Sequence, residues 1–276
     1  MWLLGTIHVG DERTAFLPQE IYDAFDASDA LAVEFETESY TAQLMEDQEA
    51  MQRYIQAFLY TDGTTTKDHI ADEELYEQLL KFLQASGTYD NTMLVTKPVF
   101  LDQTISSFFM SNGYRLSSDF GVDNQLQARA YEQEKEILSV ESGEFQMDLL
   151  GQFSDELQIY MLRDVLEYGQ CAYNYHTEQL FELWCQGDEA ALIEYLNREA
   201  EEDPDMTEEE KALMLEYEQA METGRNVDML AVAEEYLGSG RTVFYAVGLA
   251  HLLADDGLVN TLRNAGYTVE LVSYAG

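Results

Sequence analysis

Four histidines occur in the 276-residue chain, and two of them share a local setting. His8 lies in MWLLGTIHVGDE and His251 in TVFYAVGLAHLLADDG, so each ends an apolar run as Gly-x-x-His and precedes a short acidic turn. His69 and His176 have polar surroundings. A matched pair 243 positions apart predicts that the fold brings the two ends of the chain together and turns both imidazoles to one site. The glycine three residues before each histidine allows a tight bend or a close approach at a strand end. Two further residues, Glu34 in ALAVEFE and Glu141 in EILSVES, place carboxylates at the ends of apolar segments. Two imidazoles with one or two carboxylates suit a divalent ion such as Mn²⁺ or Zn²⁺. A plainer reading stays open for each part. A lone histidine at a strand end is commonly a hydrogen-bonded turn residue, and a buried acid needs a base because an unpaired carboxylate is costly. Arg225, one of fourteen Lys and Arg residues, is the obvious base.

The elements that must position these residues are legible from periodicity. Residues 2–9 predict a strand buried on both faces, residues 17–29 a short helix with Ile21, Ala24 and Phe25 on one side, and residues 30–36 a second strand. A helical pattern runs from about 40 to 60, and Asp62-Gly63 breaks it. Asp72 can cap a helix that closes at Gly87, and Lys97-Pro98 marks a further boundary. A helix over about 101–111, a second beginning near Gly121 and a strand ending at Glu141 follow. From 154 to about 237 the pattern is almost wholly helical. It includes the acidic run EAEEDPDMTEEEK, whose Thr207 and Glu210 form a capping box at the start of a surface helix. The chain closes as strand TVFYAVG, helix GLVNTLRNAG and strand YTVELVS. Strand, Gly-x-x-His, helix, strand therefore occurs at 2–36 and again at 242–273.

This alternation predicts one α/β domain over residues 1–276, with a central mixed, partly parallel sheet flanked by helices. The 154–237 segment is expected as a large helical insertion, a layer or lid over the sheet. Parallel crossovers put functional residues at the carboxyl edge, so His8, Glu34, Glu141 and His251 are expected to face one edge. Alternation along the second strand puts Glu34 and Glu36 on the same face, and Glu34, nearer the strand body, is expected to point inward.

Composition bounds the function. There are 54 acidic against 14 basic residues, a formal net charge of -40, which argues against nucleic acid and anionic membrane as partners. Cations and metal ions are favoured, although a surface tuned for solubility explains the same excess. No apolar run of about eighteen residues is present, so no membrane span is expected. Met1 leads at once into an apolar strand, which predicts a cytosolic protein or one whose leader has been removed. Cys171 and Cys185 can be a free pair or a disulfide and do not decide the compartment. Gly-x-Ser-x-Gly, Walker-type and dinucleotide glycine patterns, and His-Glu-x-x-His are all absent from the sequence.

GTIHVG, AVEFE, GVDNQLQARA, ILSVES, GRN and YAVGLAHLLADDGLVNTLRNAGYTVELV, in that order, resemble the TraB/GumN family, which is related to the Tiki proteases. The weaker TDGTTTKDHI and TKPVF segments extend the likeness over nearly the whole chain. The resemblance implies a sheet with helices around it and a divalent-metal-dependent peptidase. Its motif histidines fall on His8 and His251, its strand-terminal acids on Glu34 and Glu141, and its Arg-Asn pair on Arg225-Asn226. It also implies an extracytoplasmic protein, secreted or lipid-anchored.

Two functions compete on this reading. In the first, His8, His251 and one or both of Glu34 and Glu141 hold a metal in a peptide hydrolase. The spare carboxylate would then act as general base, and Arg225 would steady the oxyanion. In the second, the same cleft captures a peptide without cutting it.

Overall fold

The computed structural model describes residues 1–111, 115–200 and 206–272. Its centre is a four-stranded sheet built from β1 (Trp2–Thr6), β2 (Ala30–Val33), β3 (Glu136–Ser139) and β4 (Val243–Gly248), in the order β1-β4-β2-β3. All three pairings are parallel, so the sheet contains no antiparallel member among the described residues. The register sets Thr6 opposite Gly248, and Val33 opposite both Ala246 and Ser139. Four carboxyl ends therefore lie side by side.

The central strands are apolar on both faces because both faces are covered. Leu31, Val33, Phe244 and Ala246 pack on one side against Ile21 and Phe25 of α1 (Gln19–Asp26). Elements α2 (Thr37–Glu46), α3 (Gln48–Phe58), α4 (Thr66–His69), α5 (Glu73–Ser86) and α6 (Pro98–Ser111) follow β2. Then comes α7 (Val122–Glu132), whose Val122, Leu126 and Ala130 join the same face. Chain order continues through α8 (Gly143–Gly151), α9 (Asp155–Gln186), α10 (Glu189–Ala200), α11 (Glu208–Glu218) and α12 (Gly224–Gly238). After β4 come α13 (Leu249–Leu253) and α14 (Leu258–Asn264). On the second face Ala32, Tyr245 and Val247 meet Met229 and Ala233 of α12, Leu252 of α13 and Leu258 of α14.

The 154–237 segment is helical as expected, in α9 to α12, with α9 broken by non-helical backbone at Gly169. Besides α12, which covers the second sheet face, α9 packs in three places. Leu157 joins Val99, Phe100, Leu150 and Phe153, while Leu162 and Val165 join the α5 and α6 cluster. Phe181 enters the sheet cluster, and the Trp184 indole donates to the Gly5 carbonyl at 2.9 Å. The expected caps are present: Asp72 accepts from Glu74 and Leu75 N–H, Gly87 closes α5, and Thr207 with Glu210 forms a capping box.

Several expectations need correction. The first strand ends at Thr6 rather than residue 9, which leaves His8 in the loop beyond it. The second strand ends at Val33 rather than residue 36 and the third at Ser139 rather than residue 141, so Glu34, Glu36 and Glu141 lie past their strands. The helical pattern over 40–60 is two helices, split where Asp47 caps α3. The closing strand does not form over residues 267–272. Leu271 and Val272 there are largely exposed, so an alternating apolar pattern without a partner edge stays unpaired.

Candidate active site

The site is assembled from the residues just past the four strand ends. His8 follows β1, where Val122 N–H donates to the Ile7 carbonyl at 3.0 Å and draws the start of α7 against the loop. The approach is close: a Cβ on Gly121 would lie 2.4 Å from the His8 carbonyl oxygen. Asp123, in the first turn of α7, is thereby brought to His8, and its Oδ2 lies 2.8 Å from Nδ1. The Thr6 hydroxyl donates to the other oxygen of Asp123 and fixes the carboxylate. The bond to Asp123 raises the His8 pKa to about 9 against the effect of burial, with further support from the charges of Asp123 and Glu34. The His8 side chain is nonetheless 71% exposed, so solvent screens much of this field and reaches the ring.

Glu34 follows β2, and Glu141 lies two residues past β3. Both meet Arg225 in the first turn of α12. Arg225 Nη2 donates to Glu34 Oε2 at 2.6 Å and to Glu141 Oε2 at 2.7 Å, while Nε donates to Glu141 Oε1 at 2.8 Å. Its Nη1 donates to the Met221 carbonyl at 3.2 Å. Gln146, from α8, bridges both acids through Nε2, at 3.2 Å from Glu34 and 3.0 Å from Glu141. Burial pushes the Glu34 pKa upward, but the charges of Arg225, His251 and His8, with the Gly248 N–H, hold it below its usual value. A doubly paired guanidinium is thus what keeps a buried acid ionised here.

His251 sits in α13, 5% exposed, with Nδ1 2.8 Å from Asn226 Oδ1. Asn226 Nδ2 in turn donates to Asp256 Oδ1 at 3.1 Å. Burial first, and then the Arg225 charge, lower the His251 pKa, which favours the neutral ring.

The groups converge on Gly248. Its N–H donates to Glu34 Oε1 at 2.8 Å. A Cβ built there would lie 3.1 Å from Glu34 Oε1, 3.6 Å from His251 Cδ2 and 4.0 Å from His8 Nε2. The first Gly-x-x-His has its own packing reason, since a Cβ on Gly5 would lie 2.6 Å from Leu249 Cδ1 at the start of α13. A surface hollow of about 480 Å³, lined by Phe58, Phe100, Thr104 and Phe108, shares no residue with this cluster.

The TraB/PrgY/gumN family model matches residues 1–271. The chain belongs to the TraB/PrgY/gumN family. Among curated proteins and among solved structures, nothing matches it.

In this family member, His8, Glu34, Glu141, Arg225 and His251, the residues singled out from the sequence, all lie at one sheet edge. Glu36 does not join them: it is directed to the Tyr131 hydroxyl, which donates to its Oε1 at 2.8 Å. His69 belongs to a separate group, with Nδ1 2.7 Å from Asp155 and Nε2 2.9 Å from the Thr64 hydroxyl. A pairing of Cys171 with Cys185 involves a side chain outside the described residues. Sequence reasoning missed Asp123, Gln146 and the Gly248 N–H, and it noted Asn226 only as the neighbour of Arg225. The one local signal was an acid in the first turn of a helix, which ordinarily serves the helix dipole.

The donor set matches a divalent ion in kind. His8 and His251 are each held at Nδ1, the arrangement that presents Nε2 outward, and Glu34 Oε1 faces the same space. Both Glu141 oxygens bond to the Arg225 guanidinium, whereas Glu34 Oε1 accepts from the neutral Gly248 N–H and has a second lone pair on the imidazole side. Among the described residues, no three His, Cys, Asp or Glu side chains stand close enough together to hold a metal as placed. No helix among those residues is long and apolar enough to cross a membrane.

Proposed function

We propose that the protein is a divalent-metal-dependent hydrolase acting on a peptide or protein, with His8, His251 and Glu34 as the residues that would hold the metal. The observation that carries this reading is the convergence of His8, His251 and Glu34 Oε1 on Gly248, with each imidazole anchored through Nδ1. A bound Mn²⁺ or Zn²⁺ would lower the pKa of a coordinated water and polarise a scissile carbonyl. The chain's own residues prepare the place. Asp123 and Asn226 orient the two rings, Arg225 keeps Glu34 ionised, and Glu141 balances the second half of the guanidinium charge. Arg225 is assigned to this clamp in place of oxyanion stabilisation, because Nε, Nη1 and Nη2 all have partners.

The peptide substrate and an extracytoplasmic location rest on the resemblance to Tiki-related proteins rather than on geometry. Cleavage of a mixed peptide library by the full chain, with Mn²⁺, with Zn²⁺ and with chelator, tests the activity. Metal-dependent cleavage supports the reading. Peptide capture without cleavage under either ion would favour a binding protein.

A further inference from the structure

Asp256 stands behind His251 with no place in the reaction so far. It lies in the ADDG turn after α13, which is built around Gly257, where a Cβ would meet the Leu252 and Ala254 carbonyl oxygens at 2.6 and 2.8 Å. Asp256 Oδ1 accepts from Asn226 Nδ2 at 3.1 Å, and Oδ2 is buried with no hydrogen-bond partner among the described residues. Leaving a buried carboxylate oxygen without a partner is costly, so packing alone is a poor reason for an acid here.

A carboxylate only accepts hydrogen bonds. Asn226 must therefore turn its NH₂ toward Asp256, which leaves Oδ1 facing His251 Nδ1 at 2.8 Å. An amide oxygen also only accepts, so the proton of a neutral His251 must sit on Nδ1. Nε2 then carries the lone pair and is free to bind an electrophile. Amide orientation and ring tautomer follow from the hydrogen-bond network.

We infer that Asp256 is a positioning residue that sets the His251 tautomer through Asn226, in a chain Asp256–Asn226–His251. The inference rests on the proposed use of His251 Nε2 as a ligand. The chain explains why the two motif histidines are supported differently. His8 has a carboxylate directly on Nδ1, whereas His251 has an amide interposed, which passes on the orientation without placing a full negative charge against the ring.

The test uses ¹⁵N-imidazole-labelled full-length protein without metal, with the His251 signals identified by their loss in His251→Gln. The expected wild-type spectrum has His251 protonated at Nδ1 and bare at Nε2. Asp256→Asn can donate as well as accept, so it frees the Asn226 amide to flip, and the form protonated at Nε2 should appear. Asp256→Glu should restore the wild-type pattern. Asp256→Ser gives the same readout if the carboxamide variant does not fold. In a parallel titration with Mn²⁺, Asp256→Asn should weaken binding about 10- to 100-fold, the usual range for a lost outer partner. The inference is overturned if wild-type His251 carries its proton on Nε2, or if folded Asp256→Asn or Asp256→Ser keeps the wild-type spectrum. Its failure is separable from that of the hydrolase reading. An Nδ1-protonated ring in a protein that binds no metal leaves the chain standing, while metal-dependent cleavage with an Nε2-protonated ring removes it.

Discussion

Arg225 joins Glu34 and Glu141 through a single guanidinium, at 2.6 Å to the first and 2.7 and 2.8 Å to the second. The three residues come from 34, 141 and 225, and together they tie α12 to the ends of β2 and β3. With side-chain exposures of 6% for Arg225, 15% for Glu34 and 4% for Glu141, each depends on the others to avoid a bare buried charge.

Arg225→Met should therefore destabilise the protein by about 3–5 kcal/mol, the cost of breaking a buried charge group from one side. Arg225→Lys keeps the charge but loses the fork, and it should be milder. The Glu34 pKa is held below its ordinary 4.5, so its share of stability is present above that value and is lost as pH falls through the lower folded value. Without the guanidinium, burial raises the folded pKa of the acids, so urea unfolding between pH 3 and 7 should show the deficit of Arg225→Met relative to wild type largest near pH 7 and shrinking as pH falls.

Glu34→Gln preserves shape and removes the charge that faces both histidines. It should abolish metal binding or turnover, at a stability cost of about 1–3 kcal/mol, since Glu141 still pairs Arg225. Glu36→Gln touches only the Tyr131 hydroxyl and should leave activity unchanged. Equal, small effects on calorimetric affinity and turnover would make Glu34 structural.

The His8 pKa stands at about 9 in the fold against an ordinary 6.5. Between those values the folded chain holds the extra proton, so the His8–Asp123 contribution is full below 6.5 and is lost as pH rises through about 9. Asp123→Asn should flatten that part of the stability profile. A proton on His8 competes with metal, so affinity in wild type should rise as pH climbs toward 9.

Gly248→Ala puts a methyl into the space between Glu34 and the imidazoles, 3.1 Å from Glu34 Oε1. It should fold and lose metal binding. Gly121→Ala puts a methyl 2.4 Å from a backbone oxygen and should instead destabilise the fold. Thermal melts read beside metal titrations separate the two.

The sheet and its edge were legible because ALAV and VFYAVG are apolar without alternation, as strands covered on both faces must be. The clamp was legible because an acid at the end of such a strand needs a base, and few bases exist in this chain. Asp123 and Gln146 were not, since each lies on a helix that reaches the site only after folding: Asp123 is 115 positions from His8, and Gln146 is 112 from Glu34. The closing segment misled because Val269 and Leu271 alternate like a strand, and alternation says nothing of whether an edge is free to receive it.

Whether His8, His251 and Glu34 hold a metal is decided by calorimetric titration of the metal-free protein with Mn²⁺ and Zn²⁺, repeated on His8→Ala, His251→Ala and Glu34→Gln. Wild type should show one saturable site that is lost in each variant, with every variant folded by circular dichroism. No binding of either ion by wild type, or wild-type affinity in all three variants, would contradict it.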